Sequence, residues 1–206
     1  MNLNKNKTKL LIGIATISGF LFPSFAINQS FELTPVPIYT ENELISWINK
    51  DSHLKRLETD DCQIVEDIVA RATRIDLPSY QFLYGDMLIN SVCVEQNIET
   101  GLFYIRESAK QGFNPALYKL AQFYSKPIYV QKNDQRAIAL LEEASFTGHV
   151  DSSILWAELL LEERGSPIDY PKVLKDLKES FSQKDKHHKI KELIEKIKFK
   201  IPENKH

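Results

Sequence analysis

The sequence predicts an all-α protein, an α-solenoid of stacked antiparallel helix pairs with a capping helix at each end. The main observation is a stretch that recurs every 36 residues, clearly twice and more weakly a third time. A fixed period in this range is typical of stacked repeat arrays, and it favours binding over chemistry as the function. The expected repeat-packing residues are Tyr84, Gly85, Leu88, Gly112, Leu120, Ala121, Tyr124, Gly148, Trp156 and Ala157.

Each repeat is predicted to contain a first helix, a loop and a second helix. The first helices are expected at 79–90, 116–125 and 153–163, and the second helices at 98–111, 134–147 and 170–183. Asn97, Asn133 and Asp169 are natural N-caps for the second helices. Gly112 and Gly148 suit the left-handed conformation that ends a helix. Small residues after each large one let the paired helices approach closely, so a bulky residue there should overpack the interface.

Four regions are expected from composition. Residues 1–26 combine three lysines, an apolar run and a small-x-small cleavage site, which indicates a secretory signal peptide. Residues 27–39 contain two prolines and form an extended lead-in. Residues 40–184 form the repeat domain, and 185–206 form a basic capping helix and tail. An uncleaved membrane anchor is the alternative for the first region, but the apolar run is short for a span.

The helices before the first full repeat are expected to begin with a capping box at Thr40 and Glu43. The first helix carries Trp47 and ends near residues 51–52. A second helix begins after Asp61 with a buried apolar stripe. Asp61 lies 36 residues before Asn97, so this second helix is interpreted as a half-repeat.

Two cysteines, Cys62 and Cys93, are the complete set in the chain. Their midpoint falls at a predicted helix-breaking turn, so antiparallel helices on either side would bring the two residues together. An exported chain meets an oxidising compartment, which favours a disulfide. Two free buried thiols are the alternative.

The last helix carries one apolar face surrounded by lysines, formed by Ile190, Leu193, Ile194, Ile197 and Ile201. Arrays need polar ends, so this helix is interpreted as a cap over a third repeat that lacks its closing glycine at Lys184. A docking helix for a partner or a membrane surface is the alternative.

Charge and motifs argue against several functional classes. Residues 27–171 contain 12 basic and 22 acidic residues, a net charge of −10, whereas 172–206 have 11 basic and 6 acidic residues. An acidic body argues against nucleic acid as a partner. The sequence has no phosphate-binding glycine loop, and no metal site or cofactor is expected. A serine-x-x-lysine match at Ser52 and Lys55 lacks the accompanying penicillin-recognition motifs. The chain is therefore not expected to be an enzyme.

The residues that close each repeat, at 108–112 and 144–148, resemble Sel1-like repeats, which are TPR-like helix pairs. Outside them, the chain resembles the MotX family of sodium-type flagellar motor proteins. The segments that carry this second resemblance are 36–49, 60–63, 80–88, 92–95, 130–132 and 165–170.

The resemblance implies a periplasmic, non-enzymatic scaffold associated with the polar flagellar basal body. Its implied partners are a MotY-like protein of the T ring and the B subunit of the sodium-driven stator, whose units it would help recruit and hold. An exported adaptor in envelope maintenance is the alternative function. Trp47, Asp86 and Gln122 are the expected partner contacts, the last two as exposed residues of first helices. Core packing is the alternative for Trp47.

Overall fold

The computed structural model describes residues 39–182 and 185–201, and every regular element in those ranges is helical. The predicted signal peptide at 1–26, the predicted lead-in up to residue 38, residues 183–184 and the tail at 202–206 lie outside the described residues. The α-helices are α1 (Glu41–Asn49), α2 (His53–Thr59), α3 (Val65–Thr73), α4 (Pro78–Asn90), α5 (Ile98–Lys110), α6 (Asn114–Ser125), α7 (Asp134–Phe146), α8 (Val150–Leu161), α9 (Tyr170–Glu179) and α10 (His187–Lys198). Short 3-10 helices span Pro167–Asp169 and Ser180–Ser182.

The repeat unit is a helix pair: α4 with α5, α6 with α7, and α8 with α9. Each pair also packs on the next, which builds one continuous apolar core through the stack. Of the 13 residues of α4, 10 are buried, because α3 and α5 cover it within its layer and α1 and α2 contact it as well. These contacts confirm the predicted all-α solenoid of stacked helix pairs.

Helix ends follow the expected chemistry in the first two repeats. The side-chain oxygens of Asn97 and Asn133 each accept a hydrogen bond, at 2.9 Å, from the backbone N–H three residues on. Gly112 and Gly148, which follow the second helices, have φ values of +76° and +87°. Asp169 occupies the expected N-cap position of α9, but its side chain makes no capping bond, because the residue also ends the 3-10 turn that leads into this helix.

In the first helix pair, α4 and α5 come into close backbone contact at Gly85 of α4 and Gly101 of α5. A Cβ atom built on Gly85 would lie 2.7 Å from the carbonyl oxygen of Gly101, and a Cβ on Gly101 would lie 2.7 Å from that of Gly85. The sequence pattern identified Gly85 and missed Gly101. The corresponding residues 36 positions on are Ala121 and Ala137, both fully buried.

The N-terminal part differs from the sequence prediction in having three helices. The capping box of α1 is present, since the Glu43 carboxylate accepts from the Thr40 N–H at 2.9 Å. An additional helix, α2, follows and buries His53 and Leu57. The next helix, α3, begins at Val65 rather than directly after Asp61, because Asp61 and Cys62 have left-handed φ values of 53° and 59°.

The C-terminal helix α10 packs on α8 and α9. Its apolar residues Ile190, Leu193, Ile194 and Ile197 are buried in that contact. Its lysines lie at the edges, where Lys189 pairs with Glu158 of α8 at 2.7 Å. The apolar face of α10 is therefore already occupied by the chain itself.

Candidate functional site

The three first helices carry a polar residue at the same repeat position: Asp86 in α4, Gln122 in α6 and Glu158 in α8. We call α4, α6 and α8 the A helices. Equivalent positions in a regular array face the same side of the stack. The structure buries the first of these residues, pairs the third with α10 and leaves the second in a groove.

Asp86 lies under the N-terminal cover. It is 1% exposed, and one carboxylate oxygen accepts a hydrogen bond from His53 Nε2 of α2 at 2.9 Å. The other carboxylate oxygen contacts Lys119 Nζ of α6 at 2.8 Å and accepts from the Asn90 amide at 3.0 Å. The expected exposure of Asp86 is therefore wrong, because α2, the helix that the sequence analysis missed, covers this position.

The electrostatics of this network favour an ionised Asp86. Burial acts to raise the pKa of Asp86, but the hydrogen bond from His53 and the charge of Lys119 together lower that pKa below its usual value. A buried carboxylate with three partners stabilises the packing of α2, α4 and α6 on one another. Asp86 thus links α2 and α6 to α4 inside the protein, and a partner cannot contact it directly.

Gln122 occupies the open middle position. It is half-buried and lines a groove of about 580 Å³ on the A-helix side, which we call the A-helix groove. The segment that follows α1 contributes Asp51 to the lining, and the turn before α10 contributes Asp185. The further lining residues are Ile48, Asn49, Lys50, His53, Phe82, Pro115, Tyr118, Lys119, His149, Asp151 and Lys186.

Two neutral hydrogen-bonding side chains lie in the A-helix groove beside the charged residues Lys119 and Asp151. The rings of Tyr118 and His149 lie 5.4 Å apart, and His149 Nδ1 is 2.8 Å from the Ser152 hydroxyl. Burial lowers the pKa of His149, and burial with nearby carboxylates raises the pKa of Tyr118 to about 12. Both side chains are therefore neutral near pH 7. Tyr118 lies 36 residues after Phe82, which also lines the groove, so the two are equivalent positions of successive repeats. The sequence analysis did not single out Tyr118 as a site residue.

Trp47 lies in an aromatic cluster at the N-terminal end. It is half-buried, its ring meets that of Tyr39 edge-on at 4.6 Å, and the Arg56 guanidinium lies 5.4 Å from the Trp47 ring centre. Trp47 and Tyr39 border an apolar pocket of about 380 Å³, whose wall includes Leu57 of α2. Trp47 is therefore neither a fully buried core residue nor a free surface side chain.

Cys62 and Cys93 lie side by side in the structure. Their sulfur atoms are 2.09 Å apart and their Cα atoms 5.5 Å apart. Cys62 precedes α3 and Cys93 follows α4, so the bond closes the open end of this antiparallel pair.

The described part of the chain, 39–182 and 185–201, contains no group of three or more His, Cys, Asp or Glu side chains placed to hold a metal ion. Over the same ranges, no helix combines the length and apolar character that crossing a membrane requires. Ser52 is the serine of the serine-x-x-lysine match. Its hydroxyl donates a hydrogen bond to the Trp47 carbonyl oxygen at 3.2 Å.

Comparison with protein families finds Sel1 repeats at residues 78–113 and 114–145. These two units correspond to the pairs α4–α5 and α6–α7. The family match therefore agrees with the 36-residue period and with the paired helices.

Two known proteins show the extent of the likeness. The chain is 48% identical over 171 residues to the sodium-type polar flagellar protein MotX of Vibrio parahaemolyticus serotype O3:K6 (strain RIMD 2210633), a match that covers 82% of this chain and 81% of that protein. It also resembles the crystal structure of a Sel1 repeat protein from Oxalobacter formigenes, with a TM-score of 0.57 and 20% identity over 64% of this chain and 96% of that one. The second likeness concerns the fold alone.

Proposed function

Because the chain belongs to the MotX family of sodium-type polar flagellar proteins, we propose that it is a non-enzymatic adaptor of the polar flagellar motor. In this proposal the chain is exported to the periplasm and joins a MotY-like protein in the T ring. There it helps recruit and hold stator units through the stator B subunit. The observation that carries the proposal is the 48% identity over 171 residues, a length well beyond the two matched repeats.

The geometry supports an adaptor with a built binding groove. The A-helix groove presents the uncharged side chains of Tyr118, Gln122 and His149 together with charged residues of both signs. Neutral donors and acceptors in a partly buried groove favour an extended segment of a partner protein, whose backbone groups they can bind. Gln122 is the central residue for this role because, of its two equivalents, Asp86 is buried beneath α2 and Glu158 is paired with Lys189 of α10.

The first experiment tests the function as a whole. A clean deletion in the native host should leave flagella assembled but not rotating, with fluorescently labelled stators no longer gathered at the pole. Normal swimming by the deletion strain would refute the motor function. A pull-down that recovers cell-wall enzymes instead of a MotY-like protein would favour envelope maintenance.

The second experiment tests the A-helix groove. Gln122→Arg adds a long charged side chain to the groove, so complementation with this variant should reduce swimming and polar stator foci. Gln135→Arg makes the same chemical change at an exposed position of α7 outside the groove and should complement fully. Full function of Gln122→Arg, with the protein at normal abundance, would exclude the groove as the partner site.

A further inference from the structure

A second cleft, of about 510 Å³, lies away from the A-helix groove, between α5, α7 and the loop that connects α6 to α7. Arg106 of α5 and Arg136 of α7 border it, and Tyr124, Tyr129 and Lys132 complete most of its wall. We call it the two-arginine cleft. Positive side chains converge here although residues 27–171 carry a net charge of −10.

The next repeat carries an ion pair at the equivalent positions. Thirty-six residues on, Arg106 becomes Glu142 and Arg136 becomes Lys172, and these two form an ion pair at 2.8 Å between α7 and α9. The same two positions in the two-arginine cleft both carry guanidinium groups. Over 39–182 and 185–201, neither guanidinium lies in a salt bridge with a carboxylate. An ion pair that links two repeats has therefore been replaced by a like-charge pair, which an external anion would stabilise.

The surroundings hold the cleft in a defined shape. The Arg136 guanidinium lies 4.8 Å from the centre of the Tyr124 ring, and Tyr124 is itself 8% exposed. Stacking on a buried ring orients the planar guanidinium and limits its rotation. Lys132 is engaged with Asp134 at 3.4 Å, so the two arginines are the main groups available to an anion.

An apolar surface borders the charges. Tyr129 is 49% exposed, although its ring packs edge-on against Phe123 at 5.4 Å. Its backbone has a left-handed φ of 61°, which turns the loop at this point. The cleft thus combines two guanidiniums with one exposed aromatic face.

We propose that the two-arginine cleft binds an acidic segment of a partner protein. A glutamate or aspartate carboxylate accepts hydrogen bonds from Arg106 and Arg136, and a neighbouring apolar side chain packs on Tyr129. Arginine suits planar, two-point recognition of a carboxylate. The net charge of −10 over residues 27–171 disfavours an extended polyanion or an anionic membrane, so a short acidic segment fits better. This inference does not depend on the proposed motor function.

The test uses the purified protein and a fluorescein-labelled peptide of alternating glutamate and phenylalanine, with a glutamine-for-glutamate peptide as its match. Fluorescence anisotropy should show the glutamate peptide binding at least about tenfold more tightly. Arg106→Gln and Arg136→Gln should each weaken binding by about tenfold, since each removes charge-assisted hydrogen bonds. Arg106→Glu should abolish binding, because it recreates the internal ion pair of the next repeat. Lys172→Gln is the matched control and should bind as the wild type does.

A measurement on the wild type alone keeps the test independent of the folding of the variants. The guanidinium Nε–H signals of Arg106 and Arg136 should shift in NMR spectra when the glutamate peptide is added. Equal affinity for the two peptides, or unshifted arginine signals, would overturn the proposal. Preferential binding to phosphatidylglycerol vesicles, lost in the same arginine variants, would assign the cleft to lipid instead.

Discussion

Gly85→Ala is the substitution for which the structure and simple helix propensity predict opposite results. In the middle of a helix, glycine to alanine normally stabilises by about 1 kcal/mol. Here the new Cβ would lie 2.7 Å from the Gly101 carbonyl oxygen and 2.8 Å from Ile105 Cγ1, whereas ordinary contact begins at 3.4 Å. The closer obstacle is backbone, so α4 and α5 must separate by about 0.7 Å, the difference between 3.4 and 2.7 Å.

Overpacking costs about 1–3 kcal/mol, and we expect the upper part of that range, about 2–3 kcal/mol, because the closer obstacle is backbone. After the propensity gain, we expect Gly85→Ala to lose about 1–2 kcal/mol of unfolding free energy. For a chain of this size that corresponds to a melting temperature lower by about 2–8 °C. Thermal unfolding followed by circular dichroism measures the change, and Gly85→Val should lower the melting temperature further.

Three further variants test the steric explanation. Ala121→Gly, at the equivalent position of the next pair, should lose about 1–2 kcal/mol, because it lowers helix propensity and removes a buried methyl group. Gly101→Ala should cost about as much as Gly85→Ala, and the double variant should cost less than their sum, because one displacement relieves both contacts. A melting temperature of Gly85→Ala at or above the wild-type value would refute the steric argument.

The disulfide and the buried carboxylate give two further predictions. Cys62→Ser should lower the unfolding free energy by about 3–4 kcal/mol, the value expected for a separation of 31 residues, and should lower the abundance of the exported protein; an unchanged urea midpoint would contradict this. Asp86→Asn should cost about 1–3 kcal/mol at pH 7. The native pKa of Asp86 is lowered, so its stabilisation is present above about pH 4 and is lost as the pH falls through that native pKa. The difference between wild type and variant should therefore shrink in acid, and a constant difference would contradict the assignment.

The period of 36 residues predicted the fold because packing between neighbouring helices is encoded locally. Large and small residues recur at fixed offsets, and polar caps precede the second helices. These features depend on residues close in sequence, so one sequence suffices to recognise them. The structure was needed to identify Gly101 as a packing residue, because its partner Gly85 lies across the interface on another helix.

The candidate site was less predictable, because exposure depends on helices distant in the chain. Asp86, Gln122 and Glu158 occupy the same repeat position and look alike in the sequence. The structure separates them: α2 covers the first, Lys189 of α10 pairs with the third, and the second remains in an open groove. The short helix α2 could have been inferred from Leu54 and Leu57, whose spacing suits one apolar helix face.

The two arginines of the cleft show that a departure from the repeat pattern can also indicate a candidate site. The period identifies where an ion pair between neighbouring second helices belongs, as Glu142 and Lys172 demonstrate. A departure from that pattern at Arg106 and Arg136 is visible in the sequence once the pair is known. The structure was needed to show that Arg106 and Arg136, which lie on different repeats, border the same cleft.

The helix α10 also limits how several copies of this protein can assemble. A repeat array with a bare end can elongate, because the last helix pair of one molecule accepts the first pair of another. Here α10 contacts both α8 and α9, the last helix pair of the stack. A further molecule therefore cannot extend the stack by packing on the residues of that pair that α10 already buries.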